Sequence, residues 1–195
     1  MSALFDPLTI GNVEFSNRIW VSPMCQYMAK DGFVGQWHQV HLGSFATGGT
    51  GLIMVEATGV VPEGRISIGC PSIEDDAHAQ AFKSIIEFAH LHGVKTGIQL
   101  AHAGRKAGTA LPWDDHRMAT PAEGGWQSVS SSAIAFEGYA EPRRASYKPD
   151  VIVPGIGKPC NYIDMTGEDV WLRVPECTKE PGNSVELNIS KESPL

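Results

Sequence analysis

A continuous apolar run of strand length, Gly51-Leu-Ile-Met-Val-Glu-Ala57, and a further strand-like run, Val94-Lys-Thr-Gly-Ile-Gln-Leu100, are separated by a stretch of helical periodicity. A second helical stretch separates the first of them from Arg18-Ile-Trp-Val-Ser-Pro23, a short β-rich run stopped by proline. Strand, helix, strand, helix, strand with short connections is the pattern of βαβ units, which force neighbouring strands to lie parallel. The continuous apolar run at 51–57, as opposed to an alternating one, suits a strand covered on both faces. The expected class is therefore α/β with a parallel sheet.

Local signals place the elements. Leu8 to Phe15 shows two short apolar alternations around Gly11-Asn12, a pair suited to a tight hairpin because glycine accepts positive φ without steric cost. The first helix is expected over Gln36–Thr47, with Trp37, Val40, His41 and Phe45 as its apolar positions and Gly48-Gly49 as its stop. Ser72-Ile-Glu-Asp-Asp offers a cap and acidic first-turn residues for the second, which carries Phe82, Ile85, Ile86 and Ala89 and closes at Gly93. From His102 to Ala140 the chain is rich in Gly, Pro and Ser, and reads as a long excursion from the end of a strand. Beyond about residue 145 the character changes again. Only Val151-Ile-Val153 and Val170-Trp-Leu172 have strand-like content there, and Lys179 to Val185 looks like a turn, so an irregular tail is expected.

Composition narrows the function. Fifteen Lys+Arg stand against 22 Asp+Glu for a net charge of -7, which disfavours nucleic acid and anionic membranes as partners. No apolar run approaches the roughly 18 residues of a membrane span, and the first ten residues lack a secretory pattern. Cys25, Cys70, Cys160 and Cys177 are scattered without a CxxC pair, which reads as reduced thiols in a cytoplasmic protein. His38 and His41 lie three apart on a helix but have no further ligand at a helpful spacing, so no metal site is expected and a metal-dependent hydrolase is remote.

In parallel α/β folds ligands bind at the carboxyl ends of the strands. The residues placed there are Pro23, Met24, Cys25, Gln26 and Tyr27 after the first strand, Glu56, Ala57 and Thr58 after the second, and Gln99, His102 and Arg105 after the third. They contain no evident nucleophile–base–orienter set. They do suit the rim of a planar heterocycle, where an amide meets ring edges and small residues permit close approach. Taken alone, Cys25 reads first as a buried core thiol, Tyr27 fits rim packing as well as substrate contact, and His102 and Arg105 fit structural roles. Gln99, on a strand expected to be buried, should find a hydrogen-bond partner.

The run from Leu4 to about Arg105 resembles the old yellow enzyme family of FMN-dependent NAD(P)H oxidoreductases, best in its YqjM-like branch. The resemblance rests on Leu4-Phe-Asp-Pro-Leu, Asn17-Arg18, Ser22-Pro-Met-Cys-Gln-Tyr27, Val55-Glu-Ala57, Gly64-Arg65-Ile66 and Gln99-Leu-Ala-His-Ala-Gly-Arg105. Ser130 to Phe136 is similar to the family's next stretch. The resemblance implies that Pro23, Met24, Cys25, Ala57 and Gln99 contact FMN, with Gln99 on the pyrimidine edge and Cys25 tuning its redox potential. It implies that Tyr27 contacts the substrate, an activated alkene reduced by NAD(P)H through the flavin as in NADPH dehydrogenases and ene-reductases.

The family fold is a (β/α)8 TIM barrel, which needs roughly 250 residues. The chain accordingly reads as a partial barrel, about the first three β/α units with an N-terminal hairpin, over residues 1–144, followed by a divergent tail over 145–195. The family's histidine pair, proton-donating tyrosine and FMN-phosphate half have no counterpart after Ala140, so impaired activity is expected. The alternative is a non-catalytic barrel fragment that associates with a partner, or with itself, through its open strand edge.

Overall fold

The computed structural model describes residues 3–115 and 117–145, together with the backbone of 170–175 and 184–189. Contacts divide the chain into two units, Met1–Ala145 and Ser146–Leu195.

The first unit opens with a hairpin, β1 (Leu8–Ile10) and β2 (Val13–Phe15), paired antiparallel with Leu8 opposite Phe15 and Ile10 opposite Val13. Gly11 takes φ +56°, the left-handed conformation that the tight connection needs. Then come β3 (Trp20–Val21), α1 (Gln36–Thr47), β4 (Leu52–Gly59), α2 (Asp76–Leu91) and β5 (Lys95–Ala101). The order in the sheet is β3-β4-β5 and both pairings are parallel, as the alternating pattern implies. The first strand is only two residues long, because the chain leaves the sheet before Pro23, whose missing N–H cannot join a ladder.

A core of Val34, Leu42, Ala46, Ile53, Val55, Phe82, Ile85, Ala89 and Val94 lies between the helices and the sheet. α2 contributes His78, Phe82, Ile85 and Ala89, spaced four, three and four apart along one stripe. α1 differs from the sequence reading. Its buried side is His38, Leu42, Gly43 and Ala46, while Trp37 and Val40 are 51% and 72% exposed. The reason is close packing of the two helices. A Cβ at Gly43 would come within 3.2 Å of the Phe88 ring, so small residues, not the bulky apolar ones, face α2.

The cap of α2 is also displaced from expectation. Asp75, not Ser72, is the N-cap, and its carboxylate accepts the His78 N–H at 2.9 Å. That contact holds the Asp75 carboxyl below its usual range, with the His78 backbone N–H as the largest cause. Ser72 is instead buried, and its hydroxyl donates to the Gly59 carbonyl, tying the loop to the end of β4.

The segment after β5 is held by short turns and bridges, including Ser67 with Thr109 and Thr109 with Met118, and by the two-residue strands β6 (Val129–Ser130) and β7 (Arg143–Arg144). In the second unit β8 (Val170–Pro175) and β9 (Ser184–Ile189) form an antiparallel hairpin with six paired positions. β8 contains the strand-like run Val170-Trp-Leu172, whereas β9, which alternates Val185, Leu187 and Ile189 with polar residues, falls where only a turn and irregular chain were expected. Val151 to Val153 and most of the expected 179–185 turn lie outside the described residues. Among the described residues no helix is long and apolar enough to cross a membrane.

Candidate functional site

The carboxyl ends of β3, β4 and β5 point the same way, so the chain segments leaving them share one rim. Pro23, Met24 and Cys25 directly follow β3. Ala57 on β4 and Gln99 on β5 are register partners, side by side across the sheet. The Ala57 N–H faces the Cys25 sulfur and helps to stabilise its thiolate, which brings the first segment against the second. The structure thus brings Cys25, Ala57 and Gln99 onto one continuous path. Met24 is half-exposed beside it, Ala57 is buried and Gln99 is exposed. The expected partner for Gln99 is missing: its side-chain amide makes no hydrogen bond among the described residues, because β5 is an outer strand of the described sheet.

Beneath this rim sits a polar cluster anchored by Glu56. Pairing jumps from Val55–Ile98 to Ala57–Gln99, so Glu56 is the extra residue of a β-bulge. The bulge breaks strict alternation and leaves Val55 through Gly59 all buried. Glu56 itself is 3% exposed, accepts the Gln26 N–H at 3.0 Å and lies 3.3 Å from His38 Nε2. The Gly35 N–H donates to His38 Nδ1 at 3.2 Å, so the neutral ring carries its proton on Nε2, facing the carboxylate. That Nε2–H is off the line of a good hydrogen bond and has no other partner among the described residues. His41 does not converge with His38; its ring meets Phe45 edge-on.

Cys70 completes the cluster. The Cys25 and Cys70 sulfurs and a Glu56 oxygen all lie within 4.8 Å of one another, a donor set that a thiophilic cation could also use. The Cys70 thiol holds Cys25 down at about 7, against the rise that burial and Glu56 would cause. Cys70, hydrogen-bonded to Cys25 and fully buried, is pushed far up and stays a thiol. Alkylation of Cys25 by iodoacetamide should therefore rise with pH through a midpoint near 7. Cys70→Ala should move that midpoint to about 9 or above, the range of an unassisted thiol with a carboxylate nearby. An unchanged midpoint in a folded variant would show that Cys70 is not the cause.

Tyr27 sits at φ +57°, the left-handed region that costs a non-glycine residue roughly 1–2 kcal/mol. It is held there by contacts on either side. The Ala29 N–H donates to the Gly69 carbonyl at 2.9 Å, and a Cβ on Gly69 would lie 2.5 Å from the Tyr27 oxygen of the backbone. Its ring meets Trp113 edge-on at 6.5 Å, and burial is the main cause raising its hydroxyl above the usual range. His102 and Arg105 make local contacts: His102 accepts the Gly104 N–H, and Arg105 lies over the Phe136 ring.

Comparison with known proteins decides the ancestry. The model of the NADH:flavin oxidoreductase / NADH oxidase family matches residues 3–140. The chain belongs to that family. An NADH:flavin oxidoreductase of Gibberella zeae is 43% identical over 152 residues, covering 76% of the chain and 37% of the relative. Among solved structures, morphinone reductase superposes with a TM-score of 0.59 at 27% identity, over 74% of the chain and 40% of its own. The old yellow enzyme homologue of Zymomonas mobilis gives 0.58 at 28%, over 74% and 40%. The resemblance to the old yellow enzymes read from the motifs is thus shown, and the chain spans about two fifths of the length of these relatives.

The sequence reading placed Cys25, Ala57 and Gln99 at one rim; in the structure Ala57 and Gln99 are register partners and Cys25 lies against Ala57. That reading did not single out Cys70, His38 or Glu56 as a unit. Cys70 is 45 positions from Cys25 and in no motif with it. The glutamate could have been found from its oddity, a lone charged residue in the apolar run Leu52–Ala57.

Proposed function

We propose that the first unit is the flavin-ring half of an old yellow enzyme-type NADH:flavin oxidoreductase, with FMN as cofactor, NADH or NADPH as reductant and an activated alkene as substrate. The observation that carries this is the Gln99 amide, without a hydrogen-bond partner among the described residues, set beside buried Ala57 on the neighbouring strand and near half-buried Cys25 after β3. Small, flat and polar at one edge, that surface fits a planar heteroaromatic ring. Family membership over residues 3–140 and the solved complex of morphinone reductase with tetrahydroNAD support the choice of chemistry.

FMN, when bound, would supply hydride acceptance and donation. Ala57, lacking a larger side chain, lets a ring lie close to the strand. Gln99 can both donate to and accept from a ring edge. Pro23 and Met24 border the same surface. Cys25 brings a thiol whose charge is set by Cys70, and a charge at that point shifts the potential of any redox group beside it. Tyr27 and Trp113 form an aromatic flank for a substrate. The three-unit count, the assignment of 1–144 to the barrel and of 145–195 to a divergent tail, and a cytoplasmic setting belong to the same reading.

The described residues supply ring contacts, so the 195-residue chain should bind riboflavin and FMN alike, within a few-fold, and weakly. Titration followed by flavin fluorescence tests this, and Gln99→Ala should weaken both by about tenfold, the cost of roughly 1.4 kcal/mol of lost polar contact. Absence of quenching by either flavin overturns the ring-face assignment in this chain. A second reading, association with a partner or a second copy, is favoured by the outer strands: β3 and β5 each pair only with β4 among the described residues, and Leu100 is 56% exposed. A defined oligomer in the same samples, without flavin binding, would select it.

A further inference from the structure

We propose that Cys25 and Cys70 form a dithiol that reduces a hydroperoxide, Cys25 reacting first and Cys70 resolving it into an intramolecular disulfide. Three features of the geometry support this, none of which depends on a flavin. The two sulfurs lie within 4.8 Å of each other and of a Glu56 oxygen. Cys25 is partly open to solvent whereas Cys70 is fully closed off, so an oxidant reaches only the first. The backbones that carry them are fastened together, by Ala29 N–H to the Gly69 carbonyl at 2.9 Å and by the tight approach of Gly69 to Tyr27. The Cys70 segment is clamped further by Gly59 N–H to the Pro71 carbonyl and Cys70 N–H to the Ser67 carbonyl.

The protonation states suit the chemistry. Near neutral pH about half of Cys25 is thiolate, the nucleophilic form, and Cys70 remains a thiol. The Cys25 thiolate attacks the distal oxygen of the hydroperoxide. An S–O bond forms, the O–O bond breaks, and the alkoxide or hydroxide leaves with a solvent proton as alcohol or water. Cys25 is now a sulfenic acid and the hydroperoxide has taken two electrons. The Cys70 sulfur then attacks the Cys25 sulfur; the S–S bond forms, the S–O bond breaks, and hydroxide departs as water with the Cys70 proton. The nearby Glu56 carboxylate can carry that proton. In sum two thiols and one hydroperoxide give a disulfide, an alcohol or water, and one further water. The sulfurs must close to the disulfide length of about 2.05 Å.

The test uses the full chain carrying Cys160→Ser and Cys177→Ser, so that only this pair can react. One equivalent of hydrogen peroxide at pH 7, alkylation and peptide mass spectrometry should give a Cys25 peptide joined to a Cys70 peptide, separable by dithiothreitol. Cys70→Ser should stop at a sulfenic acid on Cys25, captured by dimedone; Cys70→Ala serves if the serine variant does not fold. Accumulation of sulfinic acid on Cys25 without a joined peptide overturns the proposal, as does a disulfide between two chains. Because the readout is a covalent bond in flavin-free protein, it fails or succeeds independently of the flavin assignment.

Discussion

Replacing Glu56 by alanine should destabilise the first unit by about 3 kcal/mol, because it takes away the acceptor of the Gln26 N–H and the buried carboxylate that faces His38. Glu56 is 3% exposed and takes the Gln26 N–H on one oxygen, with the His38 Nε2–H at 3.3 Å from the other. His38 is itself 1% exposed, so no water is at hand to replace the carboxylate. Glu56→Gln keeps the volume and one acceptor but turns an NH2 group toward a second donor; a smaller loss, about 1–2 kcal/mol, is expected. Urea midpoints for the three proteins check the order. An alanine variant within about 0.5 kcal/mol of the parent would show that His38 and Gln26 find other partners, and the cluster would lose its anchor role.

Ile53→Ala should cost about 3–4 kcal/mol, a large share of the 5–15 kcal/mol by which domains are usually stable. Ile53 is 1% exposed at the centre of the core between both helices and the sheet, where packing leaves little room to collapse around a lost side chain. Val40→Ala is the control. At 72% exposure on α1 it should change stability by no more than about 0.5 kcal/mol, although the sequence marks it as a core position. If Val40 proved as costly as Ile53, the observed rotation of α1 would be wrong.

Those two positions show where sequence reasoning holds and where it stops. β4 and β5 were legible because strand-length runs between turn signals, the first of them apolar from Leu52 to Ala57 except for Glu56, leave few alternatives, and helix–strand alternation then dictates parallel pairing. The α2 stripe was legible for a similar reason: Phe82, Ile85 and Ala89 recur at helical spacing. α1 has no such stripe. Its buried side mixes His38, Leu42, Gly43 and Ala46, and what decides it is the Phe88 ring of another helix, which lies outside any local window. The cap of α2 was misplaced because Ser72 and Asp75 are equally good caps by type, and only the tertiary bond from Ser72 to Gly59 removes the first. The site divides along the same line. Motifs reveal the residues that leave strand ends. The pairing of Cys25 with Cys70 depends on how the loop after β4 folds back over the sheet, which no spacing records.

The bulge at Glu56 has a meaning for anyone who would rebuild this molecule. A strand with regular pleat and the same length would pair as well with β5 and bury as much apolar surface. It would, however, number its faces differently from Ala57 onward, sending what now lies against the helices to the opposite side. The rim chemistry is therefore addressed by one surplus residue in the count. A designer who idealised β4 would obtain a sound sheet in which Glu56 no longer reached His38, and the thiol pair would have lost its neighbour without a single thiol being changed.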